Sequence, residues 1–146
     1  PALALAAHPP APAAAPPLMP ALCFGTLPVA AGVFTLVWTH SVEHVRWAED
    51  WRIDAGGRLQ LVEARISGSA AGMEPPAEAR LAGGLWHYRP SLPPQPELRL
   101  TRSPFVADYT LCDATGCTAL GARLPAGAGE VVRLQPCPGA ADSGGG

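Results

Sequence analysis

The stretch that decides the fold is GVFTLVWTHSVEHVRWAEDWRID, Gly32 to Asp54. Its first half alternates. Phe34, Leu36, Trp38 and His40 fall on one side, and Thr35, Val37, Thr39 and Ser41 on the other. A period of two with β-branched and aromatic residues is the pattern of a half-buried strand. The second half repeats it, with Val45, Trp47, Glu49, Trp51 and Ile53 on one side. Between the halves, Glu43 and His44 suit a reversal of the chain around 42–45. Two strands joined by a turn therefore form the centre of the predicted domain.

Working outward, RLQLVEARIS (58–67) reads as a third strand. Strict alternation places Leu59, Leu61, Glu63 and Arg65 on one face, and Gln60, Val62, Ala64 and Ile66 on the other. Gly56, Gly57 and Arg58 make the tight turn before it. Shorter candidates are ALCF (21–24), LWHYR (85–89), ELRLT (97–101), ADYTLC (107–112) and EVVRL (130–134). Prolines 75, 76, 90, 93, 94, 96, 104 and 125 separate these runs and discourage long helices. The best helical stretch is a turn or two around 77–82. The expected fold is all-β, a small antiparallel sandwich or barrel of about seven to eight short strands. Residues 1–17 read as an Ala/Pro-rich tail or the remnant of an export segment, 18–137 as a single β-domain, and 138–146 as a flexible C-terminal tail.

Composition narrows the function classes. The chain has 146 residues, enough for one domain with a real core. Its formal net charge of −2 gives no reason to expect nucleic acid or an anionic membrane surface as partner. Lysine is absent, so all ten basic residues are Arg and every side-chain cation other than a protonated His is a planar guanidinium. The four cysteines, Cys23, Cys112, Cys117 and Cys137, fit disulfides in an oxidising compartment, with three connectivities open. The flanks of the DATG turn (113–116) favour Cys112–Cys117, which leaves Cys23–Cys137. The chain-entropy picture gives roughly 2 kcal/mol for the short loop and roughly 5 kcal/mol for the long one. No C-x-x-C pair supports a structural zinc site.

His40-Ser41-Val42-Glu43-His44 spells H-x-x-E-H, a zinc signature that works on a helix, where two imidazoles share one face. In a strand the same two positions stand roughly 13 Å apart, too far for one metal. A metal site on His40, Glu43 and His44 is therefore the weaker reading, and a polar, salt-bridged turn the plainer one. Ser41 and His40 point to opposite faces of a strand, and no G-x-S-x-G elbow occurs, so a hydrolase lacks its nucleophile and base. SGSAAG (67–72) is a Gly/Ser-rich loop without the P-loop lysine. No catalytic residues and no cofactor are expected.

The segments FTLVWTHSVEHVRWAEDWRID and LQLVEARISGSAAGM resemble the bacterial family called domain of unknown function 1850. The family pattern, a strand ending in His-Ser-Val, then acidic residues and a small-residue loop, falls on His40, Ser41, Val42, Glu43, Glu49 and the loop around Gly68 and Gly72. The likeness covers roughly 20–134. It implies an exported protein that serves a tripartite ATP-independent periplasmic (TRAP) transporter, especially the type with a TAXI solute-binding protein. On that implication the protein is a periplasmic or extracytoplasmic, non-enzymatic accessory subunit. It would dock on the integral-membrane subunit or the periplasmic solute-binding protein through His40, Ser41, Glu43, Trp47, Glu49 and Gly72. The alternative is a small-ligand or metal-binding β-module built on the His40–Glu49 hairpin.

Overall fold

The computed structural model describes residues 19–39, 45–67 and 77–138. Eleven strands form two antiparallel sheets. The smaller sheet has the order β2-β1-β11-β8, with β1 at Ala21–Phe24, β2 at Leu27–Ala31, β8 at Leu98–Thr101 and β11 at Val131–Pro136. The larger has the order β10-β9-β3-β4-β5-β7-β6. Its strands are β3 (Val33–Thr39), β4 (Arg46–Ile53), β5 (Leu59–Ser67), β6 (Arg80–Ala82), β7 (Leu85–Tyr88), β9 (Thr110–Asp113) and β10 (Gly116–Ala119). Neither sheet closes on itself, so the open alternative resolves to a sandwich rather than a barrel.

Gly32 is the corner where the chain leaves β2 in one sheet and enters β3 in the other. A Cβ there would stand 2.7 Å from the Pro20 carbonyl oxygen, so only glycine lets the two segments cross this closely. From that corner Phe34 and Leu36 turn inward and meet Leu22, Leu59, Leu111, Leu120, Val132 and Leu134, all essentially sealed from solvent. Burial of one such leucine contributes about 1.5–3 kcal/mol, and this shared core holds the two sheets face to face.

Two sequence expectations need correction. The stretch 77–82 carries no helix: Arg80–Ala82 is an edge strand paired to β7. Helix-forming residues there lack an apolar stripe to bury, and the backbone takes the free edge of the sheet instead. The second correction concerns β5. Glu49 pairs with Ala64, Asp50 with Glu63, and Trp51 with Leu61, so Val62 is an extra residue, a β-bulge. The bulge breaks the period of two. Leu59, Leu61, Ala64 and Ile66 all become buried, while Glu63 and Arg65 go to the outer face. Three strands beyond the eight foreseen, β2, β6 and β10, are all at sheet edges, where Pro28 in β2 costs no ladder hydrogen bond.

Both disulfides pair as expected. Cys112–Cys117 bridges facing positions of β9 and β10, and Cys23–Cys137 ties β1 to the chain just beyond β11. The short hairpin is also gripped by Arg123, at the end of a 3-10 turn (Leu120–Arg123). Its Nε donates to Thr118 Oγ1 at 2.6 Å. Its NH1 donates to Val29 O and Asp113 Oδ2, both at 3.1 Å. Its NH2 donates to Leu111 O at 3.0 Å and Gly116 O at 2.8 Å. Asp113 also accepts from the Ala31 backbone at 3.1 Å and from Thr115 N and Oγ1. This group of bonds joins β9 and β10 of one sheet to β2 of the other.

The Asp113 side chain is only 4% exposed and that of Arg123 13%, so removing either leaves the other charge buried. Arg123→Ala is expected to cost about 3 kcal/mol or more in urea unfolding, and Arg123→Lys to recover little of it, because an ammonium cannot span five acceptors. The Thr115 hydroxyl first, then the Ala31 and Thr115 amides and Arg123, hold the Asp113 carboxyl well below the usual carboxylate range despite burial. A carboxyl with a lowered folded pKa stabilises above its unfolded pKa of about 3.9 and loses that contribution as pH falls. Chemical-denaturation curves of the wild type should therefore show stability dropping below about pH 4, with a smaller drop in Asp113→Asn.

Candidate functional site

The inward face of the large sheet carries two cross-strand rows. One runs Trp38, Trp47, Ile66, Trp86 and Leu81 across β3, β4, β5, β7 and β6. The next runs Leu111, Leu36, Glu49, Ala64 and Tyr88. Alternation along β3 and β4 sets these rows, and the Val62 bulge brings Ala64 and Ile66 into them. Trp38 and Trp47 stack with ring centroids 5.8 Å apart and planes within 7°. Tyr109 leans on Trp38 at 6.3 Å and 57°, which makes an aromatic corner. All three rings are half-buried, as the rim of an aromatic patch would be.

Glu49 stands among these rings, between Trp47 and Trp51 along β4 and between Leu36 and Ala64 across the sheet. Its one hydrogen bond among the described residues comes from Trp51 Nε1, at 3.2 Å. No ion pair reaches it among the described residues. Burial pushes its pKa up, and the Trp51 indole only partly offsets this. Burial also raises the Tyr88 and Tyr109 phenols, and the charge on Glu49 adds to both shifts. The outer face of the same sheet behaves differently. There Asp50 is matched by Arg65 and by Thr35 Oγ1 at 2.7 Å, and Glu63 lies 2.6 Å from His87 Nδ1. Those pairs are partly solvated and contribute little beyond local order.

Beside Trp38 the loop from β8 to β9 closes a pocket of about 210 Å³, lined by Trp38, Thr39, Arg102, Ser103, Asp108 and Tyr109 among others. Arg102 grips Asp108 with two parallel bonds, Nε to Oδ1 at 3.0 Å and NH2 to Oδ2 at 3.1 Å. Asp108 also accepts from Tyr109 N at 2.9 Å and Gly121 N at 2.7 Å. Partial burial pushes the Asp108 pKa up, but the bonds from Arg102 and the Gly121 and Tyr109 amides outweigh it, and the net direction is down. At the tip of the loop Phe105 is 92% exposed, and Val106 next to it is also open.

Of the residues singled out in the sequence, Trp47 and Glu49 fall together on the aromatic face. His40, Ser41, Val42, Glu43, His44, Gly68 and Gly72 lie outside the described residues, and so does the expected turn. Among the described residues no group of three His, Cys, Asp or Glu side chains is placed to hold a metal. Sequence reading missed Arg102, Phe105, Asp108 and Tyr109. The spelling RSPFVADY offered one signal, a phenylalanine in a proline-broken link between strands, where an apolar ring has no core face to take.

The family model described as Domain of unknown function (DUF1850) matches residues 34–120, and the chain belongs to that family. The match takes in β3 to β10, and with them Trp38, Trp47, Glu49, Arg102 and Asp108. No curated protein and no solved structure matches the chain.

A carboxyl whose folded pKa is raised stabilises the fold below its unfolded pKa and loses that advantage as pH rises through the folded value. Glu49→Gln keeps an acceptor for Trp51 and removes the charge. It is expected to raise the melting temperature at pH 7 and leave it unchanged at pH 3.5. An equal effect at both pH values would show that burial of the charge does not matter there.

Proposed function

We propose that this DUF1850 protein is an exported, non-enzymatic accessory subunit of a TRAP transporter of the TAXI type. It docks on the integral-membrane subunit or the solute-binding protein through the Trp38–Trp47–Glu49 end of its large sheet. The observation that carries the docking surface is Phe105. An aromatic ring 92% exposed on the loop whose Val106 and Tyr109 line the pocket beside Trp38 is an interaction surface rather than an idle one. The partner that fits it offers an apolar pocket to Phe105 and a donor or cation to Glu49. The transporter assignment rests on what the family resemblance implies.

Two further features support the reading. Both cysteine pairs are oxidised, which is compatible with an extracytoplasmic location. No helix among the described residues is long and apolar enough to cross a membrane. Among the described residues Glu49 has neither a histidine nor a hydroxyl in hydrogen-bonding reach, which favours binding over catalysis.

The test is recovery of the tagged full chain from detergent-solubilised membranes of its native host, read by mass spectrometry. A TRAP membrane subunit or its solute-binding protein should be recovered in stoichiometric amount. Phe105→Ala removes a ring that packs against almost nothing in the fold, so it should leave the melting temperature within a degree or two and weaken capture about tenfold or more. Recovery of the domain alone, or full capture by the Phe105→Ala variant, overturns the reading.

A further inference from the structure

We infer that the pocket between Trp38, Tyr109 and Arg102 is a binding site for a small monocarboxylate with an apolar body. The inference does not depend on the transporter reading. It starts from a count of hydrogen-bond donors. A guanidinium has five N–H groups and a carboxylate has about four acceptor sites. Asp108 accepts four bonds, two from Arg102 and one each from Tyr109 and Gly121. Arg102 gives only two of its five donors among the described residues. Asp108 is therefore saturated and serves to orient Arg102, whose NH1/NH2 edge is left over.

Gly121 is part of the same construction. A Cβ at that position would come 2.5 Å from Arg102 NH2 and 3.0 Å from Asp108 Oδ2. Its φ is not in the left-handed region, so the requirement for glycine there comes from the approach of the ion pair and not from backbone strain. Glu130 lies in the adjoining groove with Pro104 and Gly129, and makes no ion pair with Arg102. The guanidinium is thus fixed, partly desolvated and incompletely used.

The ligand class follows from the residues that line the pocket with Arg102. A planar pair of donors fits a carboxylate bidentately. The Arg102–Asp108 pair is neutral overall, so a dianion such as phosphate gains little from it and faces the Asp108 charge. A cation finds no free acceptor on Asp108. Trp38 and Tyr109 supply two apolar walls at 57° to each other, and Thr39 and Ser103 supply hydroxyls at the rim. About 210 Å³ admits a body of a few carbon atoms or one small ring.

The probe is sodium benzoate, titrated into the isolated full chain and followed by isothermal calorimetry and by tryptophan fluorescence, with benzamide and inorganic phosphate as controls. Benzoate should bind saturably, with benzamide and phosphate each weaker by about tenfold or more. The double variant R102Q/D108N strands no lone charge and should remove the preference for benzoate. Gly121→Ala should weaken benzoate without any change of charge. A readout on the wild type alone, the Arg102 Nε–H resonance, should shift with benzoate, so the test survives a variant that fails to fold. Equal binding of benzamide or phosphate, unchanged binding by the folded double variant, or a still Arg102 resonance would overturn the assignment.

Discussion

The five donors of Arg123 are the constraint on which the sandwich depends. β10 is an edge strand of small, exposed residues, and of the strand residues in the β9–β10 hairpin Leu111 alone is buried in the core. Arg123 fixes the hairpin by taking two of its carbonyls and a hydroxyl, together with Asp113, and then one carbonyl of β2. The same Asp113 takes the amide of Ala31, next to the Gly32 corner. The two sheets are therefore registered at the point where the chain passes between them. The disulfides act elsewhere: one closes a five-residue separation within the hairpin, the other spans 114 residues but joins neighbouring strands of one sheet. They limit the unfolded chain. Cross-sheet alignment falls to the arginine and the leucine core.

Registration at that edge has consequences at the other. With β3 fixed, β4 follows in unbroken register, and the face that carries Phe34 and Leu36 also carries Trp47, Glu49 and Trp51. A straight β5 would then have turned either Leu59 and Leu61 or Ala64 and Ile66 outward. The Val62 bulge lets both pairs face inward and puts the small Ala64 beside Glu49. A larger residue would crowd the carboxylate. The bulge thus creates the space in which a glutamate sits among aromatic rings.

Much of this was readable from residues alone. The alternation of Phe34, Leu36 and Trp38, and of Trp47, Glu49 and Trp51, gave the central hairpin and the shared face. The flanks of DATG gave Cys112–Cys117 and, by remainder, Cys23–Cys137. The register of β5 was not readable, because a bulge is an interruption that only the neighbouring strand reveals. Helix-forming residues hid β6, whose pairing comes from an unfilled edge and not from propensity. Sandwich and barrel differ only in whether β10 and β6 meet, which no local pattern encodes. At the site, Trp47 and Glu49 were legible as a pair on one strand face. Arg102, Asp108 and Gly121 were not, since the two ends of one irregular loop meet a 3-10 turn with no shared period.

Arg123 and Arg102 show how differently two guanidinium groups can be used in a chain without lysine. Arg123 and Arg102 are both held by an aspartate, and both aspartates have lowered pKa values. Arg123 gives all five of its N–H groups to protein acceptors, so its chemistry is used up by the fold. Among the described residues Arg102 gives two and keeps an edge, in a pocket lined also by Trp38 and Tyr109. The carboxylates divide the same way. Asp50 and Glu63 are matched on the outer face by Arg65 and His87, whereas Glu49 has, among the described residues, one indole donor and a raised pKa. A free guanidinium edge does not by itself mark a site, since Arg65 on the outer face also gives two donors, both to Asp50; at Arg102 the pocket and the aromatic corner make the difference. Trp38 adjoins both, lining the pocket with Arg102 and standing in the row beside Glu49, and the proposed binding roles draw on that arrangement.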